Sequence, residues 1–148
     1  LGAGNGAALA LLDETLQGAA RTPRPGGGVV LGQDWVRIEL ARAHARLEAV
    51  RLLNHRMAAE LERGEPGPAD SSTVKVLTSE TVIEVYRTLL GVVGPVGHLV
   101  HGSPGALLAG RLERSARHAQ INTFGGGVNE IQRELIVTQA LGLKRSSR

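Results

Sequence analysis

Cysteine is absent from this sequence, which excludes disulfides, thiol catalysis and thiolate metal sites. Aromatic residues are almost as scarce. Trp35, Tyr86 and Phe124 are the only three, too few and too scattered to form a stacking platform for nucleic-acid bases. No uncharged apolar run reaches the roughly 18 residues that a transmembrane helix needs, so no membrane insertion is expected. No basic stretch leads into an apolar core and a small-residue cleavage site, so no signal peptide is expected either. These absences point to a cytoplasmic protein without metal or nucleic-acid chemistry.

What remains is ordinary for a globular domain. The 148 residues are 42% hydrophobic and 21% charged, enough for one core. The net charge of +3 comes from 17 basic against 14 acidic residues. The arginines are interleaved with Glu and Asp, the pattern of solvated helix faces rather than of a phosphate-binding patch. The chain opens Leu1-Gly2-Ala3-Gly4-Asn5 without Met and with an apolar pattern already running. It reads as a segment of something longer.

Glycine and proline divide the chain into helices. Leu9, Leu12 and Leu16 predict a first helix ending near Arg21, before Pro23, Pro25 and Gly26-Gly27-Gly28. Asp34 is the expected cap of a second, with an apolar stripe of Ile38, Ala41, Ala45, Val50, Leu53 and Met57 running to about Arg63. That span is about 30 residues, or about 45 Å. After the turn Gly64-Glu65-Pro66-Gly67-Pro68, caps among Asp70, Ser71 and Ser72 open a third helix with a face of Val74, Leu77, Thr81, Val85 and Leu89. Gly91, Gly94, Pro95 and Gly97 break it. Ser103-Pro104 is the expected start of a fourth helix, to Ala119. A last one runs from about Val128 to Ala140 and stops at Gly142. No strand-like alternation competes. The predicted fold is all-α, an antiparallel four-helix bundle with an extra C-terminal helix.

The stretch Thr123-Phe124-Gly125-Gly126-Gly127-Val128-Asn129-Glu130-Ile131-Gln132-Arg133 carries the clearest chemical signal. Three glycines lead directly into a helix. Without Cβ atoms their backbone can approach a ligand closely, and the helix start favours an anion or a polar edge. A bare glycine run is more often only a flexible loop, and Glu130 more often only a first-turn carboxylate facing the helix dipole.

Gly127-Val128-Asn129-Glu130-Ile131-Gln132-Arg133 resembles the motif that opens the last helix of acyl-CoA dehydrogenases, with Val128 in place of the usual Thr. Leu141-Gly142-Leu143-Lys144-Arg145 is similar to that family's closing segment. Glu48 to Leu53 looks like part of its second bundle helix, and Lys75 with Ser79-Glu80 like its Ala-Lys…Ser-Glu segment. The resemblance covers essentially the whole chain. It implies the C-terminal helical domain of such an enzyme, with the N-terminal helical and middle β-domains lying outside this chain. It also implies the reaction: a carboxylate removes the α-proton of an acyl-CoA while the β-hydrogen leaves as hydride to FAD. By position, Val128, Asn129, Glu130 and Ile131 align with FAD contacts, and Gly127 with a substrate-contacting glycine. The implied partners are an acyl-CoA substrate and further acyl-CoA dehydrogenase subunits, in a homo- or hetero-oligomer.

The departures are as informative. The family's common catalytic Glu falls on Gly126, and glycine cannot abstract a proton. Some relatives place the base on the first bundle helix, at a position that aligns upstream of Leu1; Glu14 is the nearest carboxylate in the chain and reads as a surface charge. The family's Arg-Gln-Phe-Gly segment is replaced by Arg21-Thr22-Pro23-Arg24-Pro25-Gly26-Gly27-Gly28, and its Gln-x-x-Gly-Gly-x-Gly begins with Gly91. Either Arg21 or Arg24 is placed to meet a pyrophosphate, though solvated loop charge is the commoner role. His98, His101 and His118 have no metal-ligand spacing. The triple-glycine variant resembles a subgroup from high-GC bacteria that includes steroid-CoA enzymes. The first reading is therefore the C-terminal domain of a FAD-dependent enzyme, inactive when isolated. The alternative is a degenerate structural subunit of a heteromer.

Overall fold

A computed structural model describes residues 3–144, with side chains from Asn5 onward. Five α-helices form the described chain: α1 (Ala3–Arg21), α2 (Asp34–Glu62), α3 (Asp70–Val93), α4 (Arg111–Ala119) and α5 (Asn129–Leu135). Short 3-10 turns join them, and no strand of a sheet occurs among the described residues. The helices make an all-α bundle assembled round α3, which touches α1, α2, α4 and α5.

That central place explains the composition of α3. Val74, Val76, Val82, Val85, Leu89 and Val92 are buried on more than one side, with Ser72, Thr78, Ser79 and Thr81 between them. Such a helix has no single apolar face, and Leu77, expected to be on the inner face, is 42% exposed. Around it, α1 packs Ala8, Leu11, Leu12, Thr15 and Ala19 inward and leaves Leu16 half out.

The predicted stripe of α2 needs correcting. The core side is Val36, Leu40, Ala43, Leu47 and Val50, spaced alternately four and three residues apart. Ile38, Ala41 and Ala45 lie on the opposite side and are exposed, continuing through Ala49 to Leu52. The helix carries two apolar stripes, and only one can face α3.

Three helix starts also differ from expectation. Asp34 is the first helical residue rather than the cap; Gln33 precedes it without a side-chain cap bond, and the Asp34 carboxylate pairs with Arg37. Asp70 likewise begins α3, and its carboxylate accepts the Gly67 amide at 2.6 Å, closing the preceding turn. Ser103-Pro104 does not open α4. Ser103 accepts the Ala106 amide in a turn, and three left-handed residues, Leu108, Ala109 and Gly110, reverse the chain before Arg111. Gly110 is required there, since a Cβ would meet the backbone of His101 and lie 2.8 Å from the Val100 carbonyl carbon. The last helix is regular only to Leu135 and widens into a π turn over Ile136–Ala140; Gly142 then turns left-handed.

Candidate functional site

The glycine loop between α4 and α5 sits against one side of α3. It stays exposed through Gly125, Gly126 and Gly127, and Gly126 and Gly127 have φ of +71° and +97°. A loop of consecutive glycines has a large conformational freedom to lose. Its ends are held from α3. The Lys75 ammonium donates to the Thr123 carbonyl at 3.2 Å, to the Gly127 carbonyl at 2.7 Å and to Asn129 Oδ1. These three bonds use all the donors an ammonium has. Gln132 folds back from α5 and donates to the Gly126 carbonyl at 3.2 Å.

Asn129, the first residue of α5, is 3% exposed and fully engaged. Its amide nitrogen donates to Ser79 Oγ and to Glu80 Oε1, both at 3.0 Å. Arg133, one turn on, donates to the other Glu80 oxygen at 2.6 Å. The Arg133 bond holds the Glu80 carboxyl below its usual value; partial burial opposes this and the Asn129 bond assists it. Two residues of α5 thus clamp one carboxylate of α3 and fix the direction in which α5 leaves the loop.

The expected contact residues are distributed unequally by this arrangement. Gly126 and Gly127 are exposed and Val128 half-buried. The Asn129 side chain faces α3. Glu130 and Ile131 are exposed, Ile131 by 46%. Helix geometry leaves the first-turn amides of Asn129, Glu130 and Ile131 without intrahelical acceptors, and no side chain caps them. Apolar groups border this edge: Ile121 is 65% and Phe124 69% exposed. A Cβ at Gly126 would find open space, whereas one at Gly127 would stand 2.5 Å from Gln132 Nε2.

Lys75 and Glu80 were legible only through the likeness of their segment to a known family. No local pattern ties them to a loop some 50 positions on.

At the C-terminal end of α3, the segments that follow α1 and α3 meet. Thr22 and Val30 on one side, and Val92, Val93, Val96 and Gly97 on the other, line a cavity of about 120 Å³ closed by Leu107, Leu108 and Leu112. Its one charged lining residue is Glu14, paired with Arg111. Arg24 is turned away into its own loop, donating to the Gly27 carbonyl at 2.8 Å. No cluster of groups fit to hold a metal occurs among the described residues, and His101 contacts the Ala109 carbonyl at 3.0 Å.

The family model described as acyl-CoA dehydrogenase, C-terminal domain, matches residues 2–141. The chain belongs to the acyl-CoA dehydrogenase family. It is 43% identical over 140 residues to the acyl-CoA dehydrogenase FadE26 of Mycobacterium tuberculosis, covering 93% of this chain and 35% of that protein. Among solved structures, it resembles a chain of the ChsE4-ChsE5 complex of Mycobacterium tuberculosis at TM-score 0.90 and 42% identity, over 96% of this chain and 37% of that one. It also resembles a chain of the Tcur3481-Tcur3483 steroid ACAD at TM-score 0.88 and 43% identity, over 96% and 35%. The chain therefore spans about a third of the length of the relatives it matches. No described helix is long and apolar enough to cross a membrane.

Proposed function

We propose that this chain acts as the C-terminal bundle of a cytoplasmic, FAD-dependent acyl-CoA dehydrogenase of the steroid-CoA type, and that residues 126–131 form one wall of its flavin and substrate site. The observation that carries the reading is the anchored glycine loop. Five side chains, Lys75, Ser79 and Glu80 from α3 and Gln132 and Arg133 from α5, hold the glycine loop and the helix start in place among exposed apolar groups.

The fit to FAD is uneven. At the start of α5 the open amides of Asn129, Glu130 and Ile131, with the exposed Ile131 side chain, suit a polar ring edge over an apolar contact. Asn129 contributes through its backbone, its side chain being committed to α3. Gly127 admits a substrate against its bare backbone. At the cavity by the end of α3 the lining is Val, Leu, Ala, Thr and Gly with one carboxylate, which suits no pyrophosphate. FAD, when bound, supplies the hydride acceptor. At Gly126 no side chain is present to take the α-proton, so the base stands elsewhere in the assembled enzyme.

The outer stripe of α2, Ile38, Ala41, Ala45, Ala49 and Leu52, is the surface we assign to subunit contacts. Support comes from its continuity over about four turns and from the heteromeric names of the similar structures.

The test uses the full-length subunit with its native partner, loaded with FAD and kept anaerobic. Addition of a steroid side-chain acyl-CoA should bleach the flavin's visible absorbance. Absence of bleaching with straight-chain, branched and steroid acyl-CoA thioesters alike would overturn the reading. This polypeptide by itself should reduce no dye.

A further inference from the structure

We propose that Lys75 is a positioning residue for the substrate-facing loop: its ammonium, reaching from the side of α3 against which the loop packs, sets the orientation of the Gly127 peptide. The proposal rests on the reading of residues 126–131 as a site wall.

The Phe124 and Gly125 amides bond to the Ile121 carbonyl and Gln132 bonds to the Gly126 carbonyl; the Gly127 carbonyl is held by Lys75. Gly125, Gly126 and Gly127 bring no side chains, and their backbone has more accessible conformations than any other residue type allows. Lys75 bonds to the loop at both ends, Thr123 and Gly127, and to the first residue of α5. An ammonium accommodates three acceptors converging from different directions, which a planar guanidinium does not. The peptide group is planar and trans, so a Gly127 carbonyl turned toward Lys75 turns the Val128 amide the opposite way, off α3. In the same manner the Gln132 bond to the Gly126 carbonyl sets the Gly127 amide. Lys75 thereby transmits the position of α3, the most buried helix, to the exposed backbone.

The neighbouring groups support this role. Glu80 lies one turn along α3, but its oxygens are occupied by Asn129 and Arg133. Ser79 donates within α3, to the Lys75 carbonyl at 2.9 Å or the Val76 carbonyl at 3.1 Å. Among the described residues no carboxylate hydrogen-bonds to Lys75, and Glu80 acts on it through space only. The Lys75 charge is spent on two carbonyls and an amide oxygen, an arrangement that orders a backbone rather than one that forms an ion pair.

The test compares wild type with Lys75→Met and Lys75→Arg in the full-length subunit assembled with its native partner. Hydrogen–deuterium exchange with mass spectrometry is followed over residues 124–135, where the Phe124 and Gly125 amides bond to Ile121 and Gln132 to Val128. Lys75→Met should speed exchange there about tenfold or more, while peptides from α1 and α2 keep wild-type rates. Lys75→Arg, which keeps the charge and some donors, should fall between. In turnover, Lys75→Met should lower kcat by about 10- to 100-fold with a much smaller change in KM, the mark of misplacement rather than lost affinity. Unchanged exchange over 124–135 in Lys75→Met overturns the proposal. Equal acceleration in every helix does so too, since it shows a role in overall stability only. Because exchange needs no catalysis, failure of the wild type to oxidise any acyl-CoA would refute the proposed function and leave the loop test intact.

Discussion

Arg133 of α5 and Glu80 of α3 are joined by a 2.6 Å hydrogen bond that ties the last helix to the centre of the bundle. The carboxylate also accepts from Asn129, so one ionised group holds two successive turns of α5.

Acid should loosen that tie. The Glu80 carboxyl is held below its usual value, first by the Arg133 bond. A folded-state value below the unfolded one means that the stabilisation is complete above the unfolded value and is lost as pH falls through the folded one. Melting temperature measured from pH 7 downward should therefore decline below about pH 4.5. Glu80→Gln should remove part of that decline and lower the plateau. A Glu80→Gln profile parallel to wild type at every pH would show that Glu80 contributes nothing to it.

Two left-handed glycines should differ sharply in tolerance. Gly110 and Gly126 have φ of +72° and +71°. At Gly110 a Cβ collides with the backbone of His101 and Val100, which cannot swing aside; at Gly126 it meets nothing. Gly126→Ala should cost about 1 kcal/mol, the conformational term alone. Gly110→Ala should cost about 3 kcal/mol, since strain and overpacking add. Urea unfolding of both variants is the measurement, and equal losses would contradict the close approach at Gly110.

The two stripes of α2 make opposite expectations. Leu47 is fully buried, so Leu47→Ala should cost about 3 kcal/mol. Ile38→Ala, on the exposed side, should stay within about 0.5 kcal/mol. Leu52→Glu should leave the fold intact and weaken subunit assembly in light scattering of the full-length complex. Assembly unaffected by Leu52→Glu would remove the outer stripe from the interface.

Local features of the sequence were legible and tertiary ones were not. Glycine and proline clusters marked the ends of α1, α2 and α3 because they act on the backbone directly. Which stripe of α2 faces inward was not readable, since Ile38-Ala41-Ala45 and Leu40-Ala43-Leu47 have similar periodicity and only packing chooses between them. Ser103-Pro104 has the composition of a helix start, but the left-handed turn at Leu108, Ala109 and Gly110 lies downstream and takes precedence. At the site, the glycine loop and its helix stood out by spacing and family likeness. The burial of the Asn129 side chain and the reach of Lys75 did not, because both depend on α3 lying alongside α5.

The most direct measurement is a structure of the FAD-loaded, full-length enzyme with a bound acyl-CoA analogue. The central claim is that residues 126–131 wall the site while Gly126 supplies no base. The expected result places the backbone of Gly127 to Ile131 within contact distance, about 4 Å, of flavin or thioester, with a carboxylate from another segment facing the α-carbon. A structure with that loop open to solvent, remote from both flavin and substrate, would contradict it.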